Sequence, residues 1–185
     1  MQRILLLDNF DSFTFNLAHY LIGLEVQVDV VRSDVYEGNA NNYDKVIFSP
    51  GPGLPNDSPI MQCIIEEVKG SRPILGVCLG MQSIGIHLGG ELYNQATVKH
   101  GVTEKITLEN SSLFTGISRQ IQVGLYHSWA LKKTVGNFRQ TAFSENDVLM
   151  AIENIEQELY GVQFHPESIM TPNGKQILQN FLLLE

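Results

Sequence analysis

The stretch Pro73-Ile74-Leu75-Gly76-Val77-Cys78-Leu79-Gly80 decides how this chain reads. A short apolar strand ends at Val77, a cysteine follows, and Leu79 to Leu88 continues as a helix stopped by Gly89-Gly90. A buried strand that turns at once into a helix is a building block of an open α/β sheet. The flanking glycines permit a tight turn around the thiol, the cysteine version of a nucleophile elbow. At the first turn of a helix, backbone N–H groups and the helix dipole favour thiolate over thiol. Taken alone, the same cysteine is equally compatible with a structural role in the core.

Working outward, the same rhythm continues. Arg3-Ile4-Leu5-Leu6-Leu7-Asp8 is nearly all apolar and suits a strand covered on both faces. Asp11 or Ser12 is expected to cap a helix from about Phe13 to Ile22, ended by Gly23. Val26 to Val31 and Asp44 to Ser49 read as strands, and a helix runs from Asp57 or Ser58 to about Lys69, ended by Gly70. Further on, Thr103–Leu108, Gln120–Leu125, Asn137–Ser144, Asp147–Glu153 and Leu159–Phe164 are strand-like, and Gly174–Leu184 is a terminal helix. The expected fold is α/β. It is an open, mostly parallel sheet with helices on both faces and a small antiparallel extension. Residues 1–185 read as a single domain without repeats or an internal linker.

Composition narrows the function classes. The chain has 185 residues, 12 Lys plus Arg against 20 Asp plus Glu, and a formal net charge of -8. That balance argues against a nucleic-acid partner. No stretch of 18 apolar residues exists, so no membrane span is expected, and Met1–Asp8 reads as a strand rather than a signal peptide. The two cysteines, Cys63 and Cys78, exclude a disulfide-rich scaffold and make a reduced, cytoplasmic setting the default. Cys63 lies inside an apolar helical pattern and reads as a buried structural residue. The five histidines, at 19, 87, 100, 127 and 165, form no close pair, so no metal site is expected.

A thiol nucleophile needs a base, and the base needs a group that orients it. Val162-Gln163-Phe164-His165-Pro166-Glu167-Ser168 follows an apolar strand and offers both. His165 and Glu167 are two residues apart, so in an extended chain their side chains point the same way. The competing reading is a surface loop with a charged pair. Ser49-Pro50-Gly51-Pro52-Gly53 lies at another strand end, where open α/β folds bind ligands. It matches neither a phosphate loop nor a dinucleotide fingerprint. An oxyanion role fits better, shared with the N–H of Leu79.

Taken together, these segments resemble the class I, triad-type glutamine amidotransferases. More narrowly, the chain is similar to the glutaminase subunits of anthranilate synthase and aminodeoxychorismate synthase. The matching pieces include Leu7 to Leu17, Ser49–Gly53, Gly76–Gln82, His100-Gly101, Tyr126-His127-Ser128 and Gly161–Ser168. The resemblance covers essentially the whole chain. It implies that Cys78 attacks the side-chain amide of L-glutamine, that His165 moves the protons and that Glu167 orients His165. It implies an oxyanion hole from the backbone of Gly51 and Leu79, and glutamine contacts from Gln82, Ser128 and Trp129. It further implies a larger, chorismate-binding synthase subunit as partner, with Mg²⁺ on that partner and no cofactor or metal on this chain. Met81, Val102 and Leu125 stand where relatives often carry His, Lys and Arg, and the last two positions bear on subunit coupling. The Asp11–Phe13 segment is expected near the partner interface. The alternative is a stand-alone triad hydrolase acting on another γ-glutamyl amide or peptide.

Overall fold

Leu5, Leu6 and Leu7 are each fully buried, which only a strand sandwiched between two helical layers can achieve. This strand is β1 (Arg3–Asp8) in the computed structural model, which describes residues 1–184. Next come α1 (Thr14–Ile22), β2 (Gln27–Arg32), β3 (Lys45–Phe48), α2 (Ile60–Val68), β4 (Ile74–Val77) and α3 (Leu79–His87). The chain continues through β5 (Leu92–Leu108), β6 (Gln120–Leu131), β7 (Arg139–Ser144), β8 (Leu149–Asn154), β9 (Leu159–Val162) and α4 (Gly174–Leu182).

All these strands join one nine-stranded sheet in the order β2-β1-β3-β4-β9-β8-β7-β5-β6. The β2-β1-β3-β4-β9 half is parallel. From β9 through β8, β7 and β5 to β6 every pairing is antiparallel. The side-chain period of two divides the core between the faces. Ile4 and Leu6 pack with Leu17, Leu21, Ile177 and Phe181 of α1 and α4. Leu5 and Leu7 pack with Met61, Ile64 and Ile65 of α2 and Ile84 of α3.

The expected α/β sheet with helices on both faces is therefore present, and its antiparallel part is longer than the sequence indicated. β5 begins at Leu92 rather than Thr103, and β6 runs on to Leu131. The early part of β5 is largely exposed on both faces, so no apolar alternation marks it. Three further expectations need correction. Ser12 is exposed and does not cap α1; instead Asp11 Oδ1 accepts from the Phe13 N–H at 2.8 Å, and α1 begins at Thr14. Cys63 is exposed, because α2 buries Met61, Ile64, Ile65 and Val68 and turns Cys63 to the opposite side. Leu125 is fully buried in the core, so it cannot act at a subunit surface in this fold.

Candidate active site

The elbow forms because β4 and α3 meet with no intervening residue except Cys78. Cys78 has φ 53° and ψ −102°, a conformation that costs an L-residue of order 1–3 kcal/mol. Close packing holds it there. A methyl group at Gly80 would lie 2.7 Å from Phe48 Cβ and 2.8 Å from Phe48 O, and one at Gly76 would overlap the Gly80 backbone. The Cys78 N–H donates to Val162 O at 2.8 Å, tying the elbow to β9. The thiol is buried, at 6% exposure, and sits at the N-terminus of α3.

That tie brings the two distant motifs together. β9 is the parallel neighbour of β4, with Val77 paired to Val162, so the chain leaving β9 passes beside the elbow. The His165 N–H donates to Gly124 O at 3.1 Å. Thr171 Oγ1 donates to His165 O at 2.7 Å and accepts from Gly124 N at 2.9 Å. His165 Nδ1 and Glu167 Oε1 are 2.7 Å apart, and each residue is 2% exposed. This is no surface pair. The two side chains also meet through a turn at Pro166-Glu167 rather than along an extended strand.

His165 Nε2 is buried and makes no hydrogen bond within the described residues. His165 lines a cavity of about 550 Å³ together with Cys78, Gly51, Tyr126 and Phe13. Burial alone would disfavour the charged ring, but the Cys78 sulfur and the Glu167 carboxylate outweigh it, and the His165 pKa is raised well above its usual value. Tyr126 and Phe13 pack edge-on against the imidazole, with ring centroids 4.8 and 5.6 Å away.

The loop after β3 supplies a third wall. The Asn9 N–H donates to Ser49 Oγ at 2.9 Å, and Asn9 Nδ2 donates to Ser49 O at 3.0 Å. Gly51 packs so closely on Asn9 that a methyl group there would lie 2.6 Å from Asn9 O. Leu79 is the first residue of α3, so its N–H has no intrahelical acceptor. Gly51, Leu79, Gln82, Ser128, Trp129 and Cys78 line a second, smaller cavity of about 170 Å³.

β6 supplies the fourth wall. Bulges in β5 on both sides of the His100–Tyr126 pairing let residues 126–129 turn toward α3. Gln82 Nε2 donates to Trp129 O at 2.9 Å and to Gln163 Oε1 at 3.2 Å. His127 Nδ1 lies 2.9 Å from the same carbonyl, and its Nε2 is buried without a partner. Burial pushes the His127 pKa down to about 4, against the raising effect of the Trp129 carbonyl, so this ring is neutral.

Seven of the eight residues singled out in the sequence thus line two cavities that share Cys78 and Gly51, and the eighth, Glu167, is buried behind them on His165 Nδ1. The class I glutamine amidotransferase family matches residues 5–184. This chain belongs to that family. An anthranilate synthase component 2 from Pseudomonas aeruginosa is 39% identical over 97% of this chain and 94% of its own. An aminodeoxychorismate synthase component 2 from Escherichia coli is 40% identical over 97% of this chain and 98% of its own. The fold also matches the crystal structure of a glutamine amidotransferase from Thermotoga maritima, with a TM-score of 0.82 at 16% identity, covering 98% of this chain and 96% of that one.

In this glutamine amidotransferase several supporting residues carried no recognisable signal in the sequence. Asn9 holds the Ser49–Gly53 loop, and Thr171 braces the backbone of His165. Gln163 did carry one: a polar residue between Val162 and Phe164, all three fully buried. Its Nε2 donates to Cys78 Sγ at 3.4 Å. Among the described residues no group of three His, Cys, Asp or Glu side chains is arranged to hold a metal, and no helix is long and apolar enough to cross a membrane. A separate groove of about 530 Å³ beside Phe10, Leu54 and Ile60 shares Leu79 but does not reach Cys78.

Proposed function

We propose that this amidotransferase is the glutaminase subunit of a chorismate-aminating synthase, with Cys78, His165 and Glu167 as its catalytic triad. The observation that carries the triad is the buried His165–Glu167 pair, which uses Nδ1 and leaves Nε2 unpaired on a ring that lines the same cavity as Cys78. Cys78 and His165 line the same cavity, so His165 takes the thiol proton as the sulfur becomes the nucleophile, and the Glu167 carboxylate stabilises the imidazolium that forms. The Cys78 sulfur attacks the side-chain amide carbon of L-glutamine, and the carbonyl π electrons move onto oxygen. The backbone N–H groups of Gly51 and Leu79 hold that oxyanion. The C–N bond then breaks as Nε2 of His165 gives its proton to the nitrogen, and ammonia leaves. Water attacks the resulting γ-glutamyl thioester while His165 takes its proton. The C–S bond breaks next, returning the thiolate and releasing glutamate. Gln82, Ser128 and Trp129 bind the rest of the glutamine in the smaller cavity.

Chorismate amination, and the Mg²⁺ it uses, belong to a larger partner subunit. The component names of the relatives support that reading over a stand-alone hydrolase of γ-glutamyl peptides. Both product names occur at nearly equal identity, so the synthase subunit sets the branch. The test combines the chain with a synthase subunit of either kind, chorismate and Mg²⁺. Cys78→Ala is expected to abolish glutamine-dependent amination and to leave ammonia-dependent amination intact. Glutamine-dependent turnover that survives Cys78→Ala overturns the assignment.

A further inference from the structure

Gln163 lies outside the triad and outside the glutamine-binding set, yet it is fully buried against the reacting sulfur. Its orientation follows from the partners themselves. The carbonyl of Trp129 can only accept, so Gln82 must present its Nε2 there, at 2.9 Å. The same Nε2 is 3.2 Å from Gln163 Oε1, which must therefore be the acceptor. That leaves Gln163 Nε2 as the atom pointing at Cys78 Sγ, 3.4 Å away. The result is a directed chain of amides, from a backbone carbonyl on β6 through α3 to the nucleophile.

We propose that Gln163 is a further catalytic residue, whose side-chain N–H stabilises the Cys78 sulfur as a thiolate. This rests on the reading of Cys78 as nucleophile. An N–H donor strengthens as its acceptor gains charge, so the bond favours thiolate over thiol. It weakens when the sulfur becomes a thioester and reforms as the thiolate leaves in the second half of the reaction. Gln163 therefore supports the sulfur both when it attacks and when it departs as thiolate. Gln82 holds the donor in place, which links the glutamine cavity to the nucleophile through two side chains. His165 acts from its own side of the sulfur and moves protons; Gln163 moves none.

Two variants and one measurement on the unsubstituted residue test this. Each is made in a Cys63→Ser background, because the exposed Cys63 thiol would also react. Alkylation of Cys78 by iodoacetamide is followed against pH. Gln163→Met keeps the volume and removes the donor, whereas Gln163→Glu keeps the shape and replaces the donor with an acceptor. Each is expected to move the alkylation midpoint upward by about one pH unit or more, the order expected for losing a hydrogen bond to a charged group. Glutaminase kcat/KM measured with the synthase subunit falls roughly tenfold or more at neutral pH. With Gln163 intact, its side-chain ¹⁵N resonance is expected to shift with the same midpoint as Cys78 alkylation. A resonance that stays flat across that midpoint, or variants that leave the midpoint unmoved, overturns the proposal, and the resonance decides even if both variants fail to fold. A parent protein whose Cys78 alkylates no more readily than an ordinary thiol instead overturns the nucleophile assignment.

Discussion

The parallel and antiparallel halves of this sheet each bury a histidine near Cys78, and they treat it in opposite ways. His165 follows β9 in the parallel half and has a carboxylate 2.7 Å from one ring nitrogen, which raises its pKa. His127 lies on β6 in the antiparallel half and has a backbone carbonyl for a partner, so burial dominates and its pKa falls to about 4. One ring is built to hold a proton and the other to refuse it. The parallel half carries the reacting groups at the ends of two short, fully buried strands, one of which passes into α3 through the strained elbow. The antiparallel half shapes the walls with longer, bulged strands whose residues are partly exposed.

Removing the carboxylate is the most forceful way to break this contrast. Glu167→Gln is expected to lower glutaminase kcat by about 10²- to 10⁴-fold, since the amide no longer stabilises the imidazolium. It also acts on stability. The raised His165 pKa contributes stability that is complete below the ordinary histidine value near 6.5 and is lost as pH rises through the raised value. Chemical denaturation from pH 6 to 10 should therefore show a shallower alkaline decline in Glu167→Gln. A variant with near-normal kcat would remove Glu167 from the mechanism.

The elbow is the next place to press. Gly76→Ala places a methyl group into the Gly80 backbone, which cannot rotate away as a side chain can. A loss of about 3 kcal/mol is expected in denaturant unfolding, together with loss of activity. On exposed β5 the contrast is direct: Val102→Lys should change stability by less than about 0.5 kcal/mol. Equal costs at the two sites would mean that the strain at Cys78 is not held by this packing.

The smallest effect at neutral pH belongs to the antiparallel histidine. His127 has a depressed pKa, so between pH 6.5 and about 4 the unfolded chain takes up a proton that the folded chain refuses. Stability falls as pH drops through that window. His127→Asn should shrink the fall by about 2 kcal/mol, while changing kcat at pH 7 by less than about tenfold. An unchanged acid limb would show that His127 is not held neutral.

The same division explains what the sequence disclosed. Gly76-Val77-Cys78-Leu79-Gly80 announces the elbow, because a strand, a thiol and a helix cannot meet in so few residues without those glycines. The His165–Glu167 pairing was legible as chemistry, although its geometry comes from a turn rather than an extended strand. The early part of β5 was not legible, since its exposed residues show no apolar alternation. The roles of Asn9 and Thr171 were hidden for another reason. Asn9 acts on the backbone of Ser49 and Thr171 ties the backbone of His165 to that of Gly124, and no local pattern records partners so far away in the chain as Ser49 and Gly124.

The most direct test of the account is labelling with a chloroketone analogue of glutamine, followed by peptide mass analysis. The account predicts one adduct, on Cys78, with glutamine-dependent amination lost and ammonia-dependent amination kept in the assembled synthase. An adduct on the exposed Cys63 with Cys78 unmodified, or inactivation with Cys78 unmodified, would contradict it.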